Sequence, residues 1–400
     1  MIFSPGLYIH IPWCHTRCIY CDFNTYVEED SSLKARYQAA LTREIEESAA
    51  ALGRPRLATL YFGGGTPTTL PAAWLVELVE TVQAAFDLPA GAEITVEANP
   101  GTVTVDYLRE LRRGGVNRLS LGVQSFRDAE LRFLSRLHSA DEARQAVSAA
   151  RAAGFDNLSL DLIFNLPGQS LPEWAETLDE AIRLAPEHLS LYSLIVEPGT
   201  PLHRLVGIGL VPAPDDDLAA DMYALAVDRL GEAGYTQYEI SNWARSSGEG
   251  ETEAPRLAAA HNLIYWRNQP YLGLGAGAVS TVDGRRWMNV KRPKQYAAQV
   301  EAGTGLALAA DERAVEQIDR PTAMTEHLML GLRLTREGVA AAEFAARFGT
   351  PLTDAFPQAI ELGIGRGLLE WVPAEDGPHL RLTPQGRFLA NQAMVEFVGG

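Results

Sequence analysis

Three thiols stand close together near the start of the chain, in Tyr8-Ile-His-Ile-Pro-Trp-Cys14-His-Thr-Arg-Cys18-Ile-Tyr-Cys21-Asp-Phe-Asn24, and they are the only cysteines among its 400 residues. A structural zinc ion closes with four protein ligands, and an iron-sulfur cube held by cysteine alone also uses four thiolates. Three thiolates in a Cys-x3-Cys-x2-Cys spacing therefore leave one metal corner open, where a substrate or cofactor can bind. A zinc knuckle completed by His10 or His15 would also reach four ligands. His10, in the alternating run Tyr8-Ile9-His10-Ile11, equally suits a satisfied histidine inside a barrel. A disulfide framework does not fit, because the count is odd and two gaps are very short. Iron-sulfur chemistry and reduced thiols both point to the cytosol.

Other chemistry-bearing residues stand at the ends of apolar runs. Gly63-Gly64-Gly65-Thr66-Pro67 follows one of them. Successive glycines expose backbone N–H and C=O groups and tolerate positive φ, although a plain turn explains such a run as well. Further runs end in Glu97-Ala-Asn99-Pro100, in Gln124-Ser125-Phe126 and in Asn165-Leu-Pro167, the last containing Asp161 between leucines. An isolated buried carboxylate is costly, so Asp161 is read as facing a pocket, against the plainer reading of local helix capping. Arg136, twelve residues after Gln124, is the cation to pair with carboxylates there. His261-Asn262-Leu-Ile-Tyr265-Trp266 sets an imidazole beside two aromatics. Imidazole is a common axial ligand of heme iron; a satisfied core histidine is the alternative. Gly273-Leu-Gly275-Ala-Gly277 lacks the βαβ context of a dinucleotide fingerprint and reads as a turn lining the barrel end.

The cysteine spacing resembles that of the radical S-adenosylmethionine (SAM) superfamily, in which three thiolates hold a [4Fe-4S] cluster and SAM chelates the fourth iron. The resemblance implies the cluster on Cys14, Cys18 and Cys21, and Tyr20 beside the adenine. It assigns Gly64, Gly65 and Thr66 to SAM, with Tyr8, Glu97, Gln124, Arg136 and Asp161 in the same cofactor-binding set. The strand-end motifs resemble those of the HemN/HemW family, whose oxidase branch carries a fourth cysteine two residues after the third. Here Phe23 occupies that position, and thirteen residues precede Cys14. His-Asn-x-x-Tyr-Trp marks the other branch, the heme chaperones, and the resemblance runs from about Leu7 to the C-terminus.

This resemblance implies a heme chaperone that binds heme, with His261 as ligand or pocket wall, and transfers it to an acceptor hemoprotein. It also admits an electron donor for the cluster and a homodimer. One alternative is the oxidase reaction, in which a reduced cluster cleaves SAM to a 5'-deoxyadenosyl radical that attacks the propionates of coproporphyrinogen III. Another is a zinc-containing binding module. Whether the chain turns over a substrate is left open.

The elements that must position these residues are legible as pattern. Strand-like runs at Leu7–Ile11, Leu57–Phe62, Glu93–Ala98, Arg118–Val123, Asn157–Phe164 and His188–Leu194 alternate with amphipathic stretches at Leu33–Ala50, Ala72–Phe86, Val105–Arg113, Ala140–Ala153 and Pro172–Leu184. Six such βα units predict an α/β fold with a parallel sheet. The resemblance makes this a partial (β/α)6 radical SAM barrel, with function at the C-terminal strand ends. From about Arg292 helical patterns lead to two short strands and a helix capped by Thr383 with Pro384 in its first turn. This predicts a barrel with a porphyrin-pocket extension over 1–291 and a mainly α, winged-helix-like domain over 292–400. The polar stretch between Trp243 and Ala260 reads as an exposed loop.

A formal charge of −17 argues against nucleic acid and against anionic membrane surfaces, both of which need clustered Lys and Arg. No apolar run reaches the roughly 20 residues of a membrane span, and Met1-Ile-Phe-Ser-Pro lacks a basic n-region. The expectation is a soluble, unprocessed, cytoplasmic protein.

Overall fold

The computed structural model describes residues 4–246, 248, 250 and 252–398. Of the polar stretch expected to be an exposed loop, residues 247, 249 and 251 lie outside the described residues. Chain contacts divide the protein into two compact units, Met1–Ala226 with Pro270–Glu316 and Val227–Gln269 with Gln317–Gly400. This division does not follow a single cut at residue 291, because 227–269 joins the C-terminal unit and 270–316 the barrel.

In the first unit six parallel strands pair in sequence order: β1 (Gly6–Ile11), β2 (Thr59–Gly64), β3 (Glu93–Ala98), β4 (Arg118–Gln124), β5 (Leu158–Phe164) and β6 (His188–Ser193). Connecting helices include α1 (Ser31–Ala51), α2 (Ala72–Ala85), α3 (Val105–Arg113), α4 (Asp128–Phe133), α5 (Ala140–Ala152) and α6 (Leu171–Arg183). Capping fixes where several of them start. Asp30 accepts from the backbone of Ser32 at the head of α1, and Ser139/Glu142 and Ser170/Glu173 form reciprocal capping boxes on α5 and α6.

Alternation along these strands sorts the side chains into two classes. Leu7, Ile9, Leu60, Phe62, Val96, Leu119, Leu121, Leu160 and Leu189 are fully buried on one face, the face that amphipathic crossover helices cover. The opposite, inward face carries Tyr8 and His10, Thr59 and Tyr61, Thr95 and Glu97, Arg118 and Ser120, Ser159 and Asp161, His188 and Ser190. Barrel interiors are usually filled with branched aliphatic side chains. This one is polar, with Glu97 and Asp161 toward its upper end.

Strand Tyr271–Leu274 adds to β1 in parallel, Gly6 opposite Tyr271 and Ile9 opposite Leu274, and the sheet continues through Val279–Val282, Arg285–Asn289 and Ala310–Gln317. The glycine-rich run expected to be only a turn is thus partly strand. Gly273 is required there, since a Cβ would sit 2.1 Å from the Val279 carbonyl oxygen.

The second unit contains the hairpin Tyr235–Glu239/Asn242–Arg245, helix Ala260–Trp266 and a C-terminal part built on helices Arg320–Gly331, Ala341–Phe348 and Pro357–Gly365. Its three-stranded sheet orders Val339–Ala340, Gly377–Leu382 and Leu369–Ala374, around a core that includes Leu328, Phe344, Leu380 and Phe397. Helices Leu352–Ala355 and Pro357–Gly365 are parted at Phe356, because a residue preceding proline is pushed out of the helical region. Thr383 caps the following helix through the Gly386 N–H, with Pro384 in the first turn. Among the described residues no helix is long and apolar enough to cross a membrane.

Candidate functional site

The cysteine loop leaves β1 through the two-residue strand Trp13–Cys14, which pairs in parallel with Tyr26–Val27. All three cysteines are free and partly exposed, and all line one cavity of about 480 Å³ at the C-terminal ends of the strands. Every position assigned to the cofactors from sequence lines it, except Tyr8 and His261. Tyr8 lies one step deeper, its hydroxyl on His10 Nδ1 at 2.9 Å and its ring stacked on Tyr61. Tyr20 packs on the apolar cluster of Leu134, Ile163, Leu166, Leu194 and Leu202 while lining the cavity.

The thiols are tied to the strand ends through one directed chain of hydrogen bonds. Arg136 donates to Gly122 O at 2.7 Å, to Asn99 Oδ1 and, at 3.6 Å, to Cys18 Sγ. That contact orients the Asn99 amide, whose Nδ2 donates to Thr66 Oγ1 at 2.8 Å. With its oxygen accepting there, the Thr66 hydroxyl is left to donate toward Cys14 Sγ, 3.7 Å away. Burial pushes the Cys14 and Cys21 thiols above their ordinary range. Nothing in the sequence around Asn99 marks it out; only its meeting with Arg136 and Thr66 in space gives it a role.

Deeper in the cavity Glu97 accepts from Tyr61 Oη at 2.7 Å and from Gly64 N at 3.2 Å. Burial pushes its carboxyl up to about 7, with the charge of Asp161 acting in the same direction. Asp161 is also raised by burial, although Ser120 Oγ donates to both its oxygens at 3.1 Å. Arg118, 2% exposed and with no hydrogen-bond partner on Nε, supplies the positive charge that counters both carboxylates from below. Its signal in the sequence was a lone arginine opening an apolar strand. Gln124 adopts a left-handed backbone, φ 69°, at the tip of β4 where the register to β5 slips. For a side chain other than glycine that conformation is strained, and such strain concentrates at ligand sites.

The glycine run is shaped by contact as much as by freedom. Gly64 has φ 114°, and a Cβ on it would fall 2.4 Å from the His10 ring. A Cβ on Gly65 would fall 2.6 Å from the Trp13 carbonyl oxygen, against the segment that leads into Cys14. Sequence reasoning gave Gly65 to SAM alone. Gly65→Val is therefore expected to lower iron uptake as well as SAM binding, measured by iron analysis and SAM titration of the same reconstituted sample; full iron content with weakened SAM binding would show that the loop absorbs the clash.

The residues fit a cubane cluster with an open corner better than a zinc ion. His10 cannot complete a zinc site, because Nδ1 is bonded to Tyr8 Oη and Nε2 lies 3.0 Å from Asn24 O. Among the described residues no three Cys, His, Asp or Glu side chains converge as ligands of a single ion. The thiols instead surround a space with polar groups opposite them, the donor set a cluster and a zwitterionic ligand require.

His261 belongs to the second unit, on the short helix Ala260–Trp266. It is 1% exposed, and its Nε2 lies 3.0 Å from Tyr265 Oη, one helical turn on. Arg333 stacks over Trp266 at 4.3 Å and pairs with the fully buried Glu239 at 3.0 Å. The histidine motif thus forms a firmly braced element whose imidazole faces its own tyrosine.

Comparison with known proteins covers nearly all of this chain. Residues 8–181 match the model of the Radical SAM superfamily, and residues 318–389 that of the HemN C-terminal domain. Heme chaperone HemW of Mycobacterium tuberculosis is 38% identical over 98% of this chain and 95% of its own. The HemW proteins of Bacillus subtilis and Escherichia coli are each 36% identical, over 98% of both chains. Among solved structures, coproporphyrinogen III oxidase HemN of Escherichia coli, a radical SAM enzyme, superposes with a TM-score of 0.81 at 25% identity, covering 99% of this chain and 90% of that one.

Proposed function

The chain belongs to the HemW family of radical SAM proteins, and from that premise we propose that it binds heme and hands it to an acceptor hemoprotein. In this reading Cys14, Cys18 and Cys21 hold a [4Fe-4S] cluster, and SAM occupies the cavity opposite them. When bound, the cluster supplies a redox-active iron with one open position. The observation that carries the cofactor assignment is the single cavity into which three free thiols, the glycine edge, Glu97, Gln124, Arg136 and Asp161 all open. Arg136 would hold an anionic group of SAM, and Glu97 and Asp161 would accept from its hydroxyl or ammonium donors. Tyr20, packed from behind, would flank the adenine.

Heme is assigned to this chain through its family, and its chemistry suits two features. Phe23, 66% exposed, and the exposed Tyr192 and Ile195 line the cavity and give it an apolar rim. The His261–Tyr265–Trp266 helix offers an imidazole once its bond to Tyr265 opens. An acceptor hemoprotein and an electron donor complete the proposed partners. The test is heme titration of the reconstituted protein, followed by transfer to an apo-hemoprotein read from the acceptor's Soret band; a chain that neither retains heme nor loads the acceptor is no chaperone.

The cofactor cavity carries a pH signature. A carboxyl raised to about 7 is largely protonated at pH 6 and ionised at pH 8, and only the ionised form accepts hydrogen bonds on both oxygens. SAM affinity is therefore expected to rise severalfold between pH 6 and 8 in the wild type and to flatten in Glu97→Gln. By linkage the same burial acts oppositely on the fold: the folded state holds this proton more tightly than the unfolded chain. Its contribution to stability falls as pH climbs from the ordinary glutamate range to about 7. An identical pH profile in both proteins would remove Glu97 from the SAM site.

A further inference from the structure

Asn24, which follows the third cysteine, and the run Gly273-Leu-Gly275-Ala-Gly277 take no part in lining the cofactor cavity, yet they meet. Asn24 Nδ2 donates to Ala276 O at 2.9 Å and to Lys291 O at 3.0 Å. Its Oδ1 accepts from Tyr26 Oη at 3.2 Å, and the same hydroxyl also reaches Lys291 O at 3.1 Å. Its main-chain carbonyl accepts from His10 Nε2, because His10 Nδ1 is taken by the Tyr8 hydroxyl. The side chain uses both amide hydrogens and its oxygen, so no other residue of this size fits: an aspartate would turn a carboxylate oxygen on two carbonyls.

The receiving turn is itself held in place from α1. Tyr37 Oη accepts from Ala276 N at 2.8 Å and donates to His10 O at 2.9 Å. The buried Glu44 accepts from Gly275 N at 2.8 Å, from Asn289 Nδ2 at 2.7 Å and from the Tyr296 hydroxyl. Gly277 has φ 77°, and a Cβ there would stand 2.5 Å from Asn24 Nδ2. The glycine that sequence reasoning placed in a simple turn leaves the space Asn24 fills.

We propose that Asn24 is a positioning residue for the cluster, clamping the C-terminal end of the cysteine loop to the 275–278 turn so that the three thiols are preorganised before iron arrives. This rests on the cluster reading. The loop's other end is pinned to the barrel by Gly65 N on Ile11 O and Thr66 N on Trp13 O, at 2.8 and 2.7 Å. Cys14 is held by its pairing with Val27, and from residue 15 to residue 24 the loop has no helix or strand to stiffen it. Its described backbone bonds include one internal Cys21–Cys18 contact and the donation of Leu202 N to Ile19 O. Fixing both ends removes conformational entropy from the span in between, which is where the thiols sit.

Loss of a clamp of this kind leaves the ligands intact but lets the loop open, so it shows in the rate of cluster loss. After anaerobic reconstitution, iron release to a chelator in excess is followed in the wild type, Asn24→Ala, Asn24→Asp and Tyr26→Phe. Asn24→Ala is expected to load iron fully and release it about tenfold faster, the effect of one or two lost hydrogen bonds. Asn24→Asp releases faster still, and Tyr26→Phe, which deletes one hydroxyl and leaves the core untouched, by about twofold. The EPR signal of the reduced cluster broadens in the same order, a change that loss of general stability would not produce. Wild-type release rates in Asn24→Ala and Tyr26→Phe overturn the clamp. A wild-type chain that takes up no iron overturns the cluster reading and the clamp with it.

Discussion

Replacing any one of Cys14, Cys18 or Cys21 with alanine is expected to take the anaerobically reconstituted protein from about four irons per chain to almost none. No fourth cysteine exists to substitute, since these three are the only ones in the sequence. Neither can the nearest histidine in β1, because both His10 nitrogens are engaged in holding Tyr8 and Asn24. The three thiols are partly exposed, so the substitutions remove ligands without opening a cavity in the barrel core, and circular dichroism and Tm of the apo protein should remain near wild type. Iron and sulfide analysis with the EPR spectrum of the reduced sample reads the result. A brown, EPR-active single variant would mean that another group completes the site, and stoichiometric zinc without iron in the wild type would defeat the cluster altogether.

The scaffold of this site was legible because its strands obey one rule. Each places large aliphatic residues on the helix-covered face, and the six patterned runs lie within about two residues of Gly6–Ile11 through His188–Ser193. The polar residues of the other face read as interruptions in an apolar strand, and Glu97 and Asp161 among them line a common cavity. The links between elements were illegible. Asn99 gains its role from Arg136 and Thr66, residues from other loops, and Asn24 from carbonyls more than 250 positions away. Strand Tyr271–Leu274 is four residues long with glycine at its third position, too short for a period to declare itself. Gly65 was recognisable as a glycine that matters, but its packing under Trp13 follows from the close approach of two chain segments. His261 was recognisable by its aromatic company, whereas its burial and its bond to Tyr265 depend on how the short helix seats.

Heme binding separates the chaperone from the oxidase, and the geometry of His261 sharpens the test. The reconstituted wild type is expected to bind about one heme per chain tightly enough to survive gel filtration, with a Soret band set by an imidazole ligand. His261→Ala should lose that band or displace it strongly, because removing an axial nitrogen changes the ligand field of the iron. In the structure, however, His261 Nε2 is bonded to Tyr265 Oη at 3.0 Å, and ligation through Nε2 must break this bond. Tyr265→Phe removes the competitor while keeping the ring, so it should tighten heme binding by about fivefold, the worth of one net hydrogen bond. The two variants therefore move in opposite directions if the imidazole swings out to iron. If it stays in place as a brace for the helix, both weaken binding or neither does, and the heme ligand lies elsewhere. The same preparation, reduced and supplied with SAM, should convert no coproporphyrinogen III. Position 23, where the oxidase branch carries its fourth cysteine, is here the exposed Phe23, which offers an apolar surface to a ligand and no sulfur. Steady formation of protoporphyrinogen would overturn the chaperone function whatever the two variants do to heme.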